Sequence, residues 1–95
     1  MQETSLMAYY EICSNGTVGK QQARILRFFV NNYSVDYTNS EVSVYTGVKT
    51  SSVCGRMKEL RNDGYLVFSQ RRLCKQTRFM ANAYRLNRNC KRLKQ

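Results

Sequence analysis

The acidic and cysteine side chains are the groups from which catalysis or metal binding would have to be built. The six carboxylates are scattered singly along the chain, whereas acid–base catalysis requires positioned groups with shifted pKa values. The chain contains no histidine, so no imidazole could activate a cysteine nucleophile. The four cysteines, Cys13, Cys54, Cys74 and Cys90, lack the close spacing of zinc-ligand pairs. We therefore predict no enzyme activity, no metal, no cofactor and no small-molecule substrate.

The basic side chains are unevenly distributed and indicate a polyanionic partner. Of the 16 lysine and arginine residues, nine lie in residues 71–95, which contain no acidic residue. These nine are Arg71, Arg72, Lys75, Arg78, Arg85, Arg88, Lys91, Arg92 and Lys94. The other seven lie in residues 1–70 together with all six acidic residues, so that part of the chain is nearly neutral. Solvated surfaces usually mix the two signs, and a one-sided basic end therefore favours nucleic acid.

A second group of residues has the chemistry needed to read DNA bases. It surrounds the start of a predicted helix and consists of Lys49, Thr50, Ser51, Ser52, Gly55 and Arg56. Small side chains permit close approach to base edges in a major groove, and hydroxyl and guanidinium groups supply donors. Arg56 precedes the apolar Met57 and is expected to point outwards. Gly55 costs roughly 1 kcal/mol inside a helix, so it serves either this close approach or tight packing against the preceding helix.

The sequence of residues 38–64 predicts the two helices that would position these side chains. Thr38 and Glu41 match the S/T-x-x-E capping box, in which two side chains satisfy free backbone donors at a helix start. Val42 and Tyr45, three residues apart, are expected to face the core. Gly47 then suits a left-handed residue that ends the helix.

The second of these helices is amphipathic. Its apolar stripe recurs at i, i+4 and i+7 and consists of Val53, Met57 and Leu60. The segment Lys49-Thr50-Ser51-Ser52 opens the helix with residues expected to cap it, and Asn62-Asp63-Gly64 ends it. Two helices joined by a short turn, with small polar residues leading the second, are typical of a helix-turn-helix.

A helix is predicted over residues 1–16, with Thr4 or Ser5 as its cap. One face of this helix carries Leu6, Tyr9, Tyr10 and Cys13. The face either packs against a second copy of the chain, which would make a homodimer, or covers the core of its own chain.

Another helix is predicted within residues 17–33, from about Val18 to Asn32, with Thr17 as its cap. Its inner face carries Gln22, Ile25, Leu26, Phe29 and Tyr33. Three cations, Lys20, Arg24 and Arg27, lie mostly on the opposite side, where they contact solvent or phosphate.

Residues 65–86 predict a β-hairpin. Its strands run from Tyr65 to about Gln76 and from Ala81 to Leu86, and the connection between them lacks the glycine of a tight turn. A third strand over residues 35–37 would complete a sheet. Arg71, Arg72, Lys75 and Arg78 would then line a basic wing beside the helix-turn-helix. We therefore predict one α+β, mainly α domain over residues 1–86, a winged helix-turn-helix of three to four helices, followed by a basic tail over 87–95 without expected structure.

Two stretches carry a resemblance to a known family. The first is Thr38-Asn39-Ser40-Glu41, Gly47-Val48, Ser52-Val53, Arg56, Glu59-Leu60 and Gly64-Tyr65-Leu66; the second is Arg71-Arg72-Leu73-Cys74-Lys75-Gln76-Thr77 with Ala81 and Tyr84. Across residues 17–86 the chain resembles the small winged-helix proteins of bacteriophages and prophages, whose wing reads R-R-x-C-x-V-T-G-R-x-A-x-V-W. Arg78, Phe79 and Tyr84 replace Gly, Arg and Trp of that pattern, so the end of the hairpin is expected to differ in shape. The resemblance implies a DNA-binding accessory or regulatory protein of viral origin.

These observations predict a sequence-specific double-stranded DNA-binding protein, either a transcription regulator or an accessory factor. The second motif helix would enter the major groove, and Arg71, Arg72, Lys75 and Arg78 would contact phosphates. The alternative is a protein–protein interaction module on the same fold, in a viral or transcription assembly. RNA binding is less favoured because no strand shows an aromatic stacking pattern.

No run approaches the roughly 20 apolar residues of a membrane span, and no export signal is apparent. A cytoplasmic location, the host cytoplasm for a viral protein, with reduced cysteines is expected.

Overall fold

The computed structural model describes residues 3–16 and 18–88, with side chains from residue 7 onwards in the first range. The described residues form α1 (Glu3–Ser14), α2 (Lys20–Asn31), β1 (Tyr37–Thr38), α3 (Asn39–Thr46), α4 (Thr50–Asn62), β2 (Leu66–Leu73) and β3 (Met80–Leu86). The architecture is α+β and mainly helical, as predicted.

The three strands form an antiparallel sheet in the order β1-β3-β2. The predicted hairpin is present, and its pairing runs from Leu66 opposite Leu86 to Leu73 opposite Met80. The third strand also pairs with this hairpin, although it lies at Tyr37–Thr38 rather than at 35–37. A β-bulge at Ser69 interrupts the ladder, because Phe68 pairs with Tyr84 and Gln70 with the adjacent Ala83. The extra residue reverses the face on which each later side chain of β2 lies.

The core lies where the helices meet the base of the hairpin. The stripe predicted for α4 is completely buried, and it packs with the apolar face of α2 and with Leu66 and Leu86 of the sheet. From α2 the buried members are Ile25, Leu26, Phe29 and Val30. Periodicity identified the α4 stripe and three of the buried α2 residues, because each depends on spacing within one helix; Gln22 and Tyr33 of the predicted α2 face are only partly buried, and Tyr33 lies beyond the end of α2.

Tyr9 of α1 belongs to this core. It is fully buried, and its hydroxyl donates to the backbone carbonyl of Asn87. Tyr9 therefore covers the core of its own chain and is not available for the homodimer contact that was considered for this face. Tyr10 is exposed and donates to Asn31 Oδ1 at 2.5 Å, while the side chain of Leu6 lies outside the described residues.

Two predicted helix starts were wrong. Helix α1 begins at Glu3, so Thr4 and Ser5 lie inside it. Helix α2 begins at Lys20 with Gly19 as its N-cap residue, whose N–H donates to Gln22 Oε1 at 2.8 Å. Thr17 lies outside the described residues. Asn87, the first residue of the predicted tail, is bonded to the turn after α4: its side-chain amide donates to the Gly64 carbonyl at 2.8 Å. Residues 89–95 of the tail are not described.

Candidate nucleic-acid interface

The turn between α3 and α4 is held by hydrogen bonds that the sequence largely specifies. The capping box is confirmed: the N–H of Glu41 donates to Thr38 Oγ1 at 3.3 Å, and the N–H of Thr38 donates to Glu41 Oε1 at 3.1 Å. Gly47 ends α3 at φ 79°, in the left-handed region that glycine occupies without strain. Ser43 Oγ donates to the Val48 carbonyl at 2.6 Å and lies 3.1 Å from the Thr50 hydroxyl. The orientation of α4 relative to α3 is therefore well determined, and the Thr50 hydroxyl is committed to the turn.

The outer face of α4 consists of Ser51, Cys54, Gly55, Lys58 and Asn62, opposite the buried stripe. Its side chains are small except for Lys58, and none is acidic. A Cβ atom built on Gly55 would meet nothing within 4 Å, so the packing explanation for this glycine was wrong. Cys54 and Lys58 were missed from the sequence. Helical spacing could have found Lys58, because it lies about 140° from Val53 at 100° per residue.

The sequence predicts that Arg56 points outwards from α4, but in the structure its side chain is held by neighbouring residues. Its guanidinium donates to both carboxylate oxygens of Glu59, at 2.6 and 3.1 Å, and to Gln21 of α2 at 3.5 Å. The error has a geometric cause: a position adjacent to Met57 is rotated by about 100°, and Arg56 also lies only about 60° from Val53 on the helix. Arg56 thus borders the core and neutralises a carboxylate.

The beginning of α4 is open to solvent. Lys49 is the N-cap residue and makes no side-chain cap, in contrast to the expectation that small polar residues would cap this helix. Lys49 and Ser51 are exposed and Ser52 is partly buried. The first N–H groups of a helix attract anions when no side chain satisfies them.

Arg72 is the second predicted contact that the structure places elsewhere. Its guanidinium donates to Asp36 Oδ1 at 3.1 Å and to the two carboxylate oxygens of Glu41 at 2.7 and 2.9 Å. It also donates to the carbonyl of Asp36 at 2.9 Å. Hydrogen bonds from Arg72 hold the pKa of Glu41 at about 2, below its ordinary value of 4.5, and the same pairing raises the pKa of Arg72. Arg72 therefore connects the hairpin to α3 and to the residue that precedes β1.

The other predicted hairpin cations have no such partners. Arg71, Lys75 and Arg78 are exposed, and none of their side chains pairs with a carboxylate in the described part of the chain. The backbone of the connection is nevertheless fixed. Arg78 N–H donates to the Cys74 carbonyl at 2.9 Å, and Cys74 N–H donates to the Phe79 carbonyl at 2.8 Å. Arg78 has φ 65°, so it adopts the left-handed conformation at the position where the family pattern has glycine.

The outer face of α4 and the hairpin meet at the start of α3. Asn39 Nδ2 lies 3.5 Å from Cys54 Sγ, and the neighbouring Thr38 hydroxyl lies 3.1 Å from Cys74 Sγ. The N–H of Lys75 donates to Glu41 Oε2 at 2.9 Å. Burial raises the pKa of the Cys74 thiol, but hydrogen bonds from Thr38 and from Thr77 outweigh it and the net shift is downwards. These contacts link the outer face of α4 to the hairpin that carries the unpaired cations, and the two together form the candidate interface.

A second basic surface lies on α2. Lys20, Arg24 and Arg27 are exposed there, as predicted, and line an open cleft of about 640 Å³. Tyr45 forms part of this cleft and is 56% exposed, so its predicted core position was wrong. Its ring lies flat against Phe28, with 5.7 Å between centroids.

Other kinds of site find little support within the described residues. Cys13, Cys54 and Cys74 are free thiols, and no three acidic, histidine or cysteine side chains are grouped to hold a metal ion there. None of the described helices combines the length and apolar character needed to cross a membrane. No model of a known protein family matches the sequence, and no curated protein is significantly similar to it.

Proposed function

We propose that this protein is a sequence-specific double-stranded DNA-binding protein, a regulator or accessory factor of transcription of the bacteriophage type, acting in the host cytoplasm. The proposed fold is a winged helix. Its support is the element order α2-β1-α3-α4-β2-β3 together with the sheet order β1-β3-β2, which would make α4 the recognition helix and the β2–β3 hairpin the wing.

The observation that carries the proposal is that carboxylates beside this surface are paired with arginines, while three exposed hairpin cations are unpaired. Asp36 and Glu41 are bound by Arg72, and Glu59 is bound by Arg56. These pairs place a cation against three of the carboxylates near α4 and the hairpin; a fourth, Asp63, lies at the C-terminal end of α4. Arg71, Lys75 and Arg78 have no acidic partner among the described residues, and the unpaired positive charge would attract phosphate.

The two parts of the surface would have different roles. Ser51, Gly55 and Lys58 would lie against base edges in the major groove, where small side chains allow approach and Lys58 can donate to guanine. Arg71, Lys75 and Arg78 would lie along the flanking phosphates, which fix position and carry no sequence information directly.

A protein-interaction module remains the second candidate, and one observation favours it. Val44 and Tyr45 on α3 are 59% and 56% exposed, so this helix presents two large apolar side chains to solvent. Such residues are common at protein interfaces. An interface of this kind would respond weakly to salt, whereas contact with many phosphates weakens steeply as salt rises.

The test begins with selection of bound duplexes from a random pool, followed by affinity measurements against salt on one selected and one scrambled duplex. A palindromic selected site would indicate a dimer. The salt slope is the slope of the logarithm of the binding constant against the logarithm of the salt concentration, and each phosphate contact contributes about −0.9 to it. Changing Lys75→Ala and Arg78→Gly together should therefore flatten this slope by about two units. Glycine is chosen at position 78 because its backbone has φ 65°. Both duplexes should weaken by a similar factor.

Arg85→Ala is the matched control for the charge changes. Arg85 is exposed on β3, five residues from Met80 and therefore about 17 Å along the strand from the end of the hairpin. We expect its removal to change the slope by much less than one unit. A second variant, Gly55→Glu, should abolish preference for the selected duplex, with Gly55→Gln separating bulk from charge. Failure of wild-type protein to bind any duplex, or parallel slopes for wild type and the double variant, would contradict the proposed interface.

A further inference from the structure

The end of the hairpin, residues 73–80, presents an unusual combination of apolar and basic side chains. Leu73, Phe79 and Met80 are 53%, 76% and 53% exposed. Leu73 and Met80 are directly paired across the two strands, so their side chains lie on the same face. Phe79 follows the left-handed Arg78 at the turn. Three large apolar side chains are thus gathered at the outermost part of the sheet.

The surrounding charge indicates what this apolar group would contact. Arg71, Lys75 and Arg78 flank it, and no acidic residue occurs anywhere after Asp63. A second copy of the same hairpin would bring like charges together, which is unfavourable. A polyanion with an apolar interior is complementary to both features. Duplex DNA has this character, with phosphates outside and stacked bases within.

Hydrogen bonds hold the backbone at the base of the hairpin end. The turn is closed by the two backbone hydrogen bonds between Cys74 and residues 78 and 79, and Cys74 itself is buried beside Thr38. One residue further, the backbone of Lys75 is tied to the Glu41 carboxylate. Five residues, 75–79, therefore extend from an anchored base. A short anchored segment can hold an apolar side chain against the stack, whereas a flexible one would fold away.

We propose that the hairpin end acts as a wedge: Phe79, supported by Leu73 and Met80, inserts at a base step in the minor groove and bends the DNA. Apolar wedges of this kind partly unstack one step and kink the duplex towards the major groove. The inference rests on the proposed function, and adds to it that the protein shapes the DNA it binds. Arg71, Lys75 and Arg78 bind the phosphates on either side of the opened step.

Bending is measured independently of binding, by energy transfer between dyes at the two ends of a selected duplex that is saturated with protein. A 2-aminopurine base, placed in turn at each step of the selected site, locates the opened step and reports unstacking through its fluorescence. Wild-type protein should bring the ends closer and raise the 2-aminopurine signal. Phe79→Ser should lose most of both responses and weaken binding by roughly 5- to 150-fold, the range of one base–aromatic contact. Its salt slope should not change, because no charge is removed.

Val44→Ser is the matched control, since Val44 is also an exposed apolar residue, but on α3. It should leave bending and affinity unchanged. Replacing a flexible TA step at the insertion site by a stiff A-tract should weaken wild type more than Phe79→Ser, because only a wedge must open the step. Thermal unfolding of each variant checks that the fold persists.

Three results would overturn the inference. A bound duplex that stays straight would show that the hairpin end is not a wedge, while leaving the proposed function intact. Equal bending by wild type and Phe79→Ser would assign the bend to charge neutralisation instead. Self-association without DNA that disappears in Phe79→Ser would make the hairpin end a protein contact. Absence of any duplex binding by wild type is distinct from these, because it removes the proposed function and the wedge together.

Discussion

Arg71 and Arg72 are adjacent arginines for which the structure predicts opposite phenotypes. Arg72 has a side chain only 20% exposed, bonded to Asp36 and to the nearly buried Glu41. Changing Arg72→Met would leave both carboxylates without their cation, and breaking a buried pair in this way typically costs about 3–5 kcal/mol. Domains of this size have roughly 5–15 kcal/mol of stability in total, so the loss should be large. Arg71→Met removes an exposed side chain and should change stability by less than about 0.5 kcal/mol.

Urea unfolding measures the first effect, with an unchanged m-value showing that the unfolded state is comparable. Salt-dependent DNA affinity measures the second: Arg71→Met should flatten the slope by about 0.9. The lysine variants are the controls. Arg71→Lys should retain stability and slope, whereas Arg72→Lys should still destabilise, because an ammonium cannot form the planar bidentate contacts. Equal stability losses at the two positions would refute the assignment of Arg72 to the anchor and Arg71 to the outer surface.

Three further predictions concern stability. The pKa of Glu41 is about 2 in the folded protein and 4.5 ordinarily, so the unfolded chain takes up a proton first as the pH falls. The free energy of unfolding should therefore decline by about 3 kcal/mol between pH 4.5 and pH 2. Unfolding measurements across the same pH range should show a flatter decline for Glu41→Gln. Gly55→Ala should raise the midpoint of thermal unfolding by about 4–8 °C, because a helical glycine costs about 1 kcal/mol and the added methyl group meets open space; a lower midpoint would contradict that geometry. Arg78→Gly should be more stable in urea than Arg78→Ala by about 1 kcal/mol, since both lose the charge and only glycine relieves φ 65°.

The sequence alone was sufficient wherever structure depends on residues a few positions apart. The Thr38–Glu41 capping box, the glycine stop at Gly47 and the buried stripe of α4 all follow from local spacing, and all are present. The sheet was also anticipated, because the strands of a hairpin are neighbours in sequence. Helix starts were less predictable: α2 and α4 have Gly19 and Lys49 as N-cap residues instead of the small polar residues beside them, and preferences at this position amount to only about 1 kcal/mol.

Tertiary structure decided which charges are free, and therefore which residues belong to the candidate interface. Arg56 and Gly55 are one residue apart on α4, yet one contacts Gln21 of α2 and the other faces open space, which depends on how α2 packs against this helix. The contact with α2 is not encoded in the local pattern of α4, because Gln21 lies 35 residues away from Arg56, whereas the pair between Arg56 and Glu59 is a local i, i+3 contact.

The two hairpin arginines show the same dependence most clearly. In an uninterrupted ladder, alternation would put Arg72 on the face of Leu66 and Phe68, and Arg71 on the face that meets Asp36 and Glu41. The bulge at Ser69 adds one residue and exchanges them, so Arg72 now pairs opposite Ala81 and reaches both carboxylates, while Arg71 is exposed. The sequence determined that two arginines would lie on this strand. The bulge in the β2–β3 pairing, which the alternation of residues along β2 does not reveal, decided which of them anchors the hairpin and which is available to a partner.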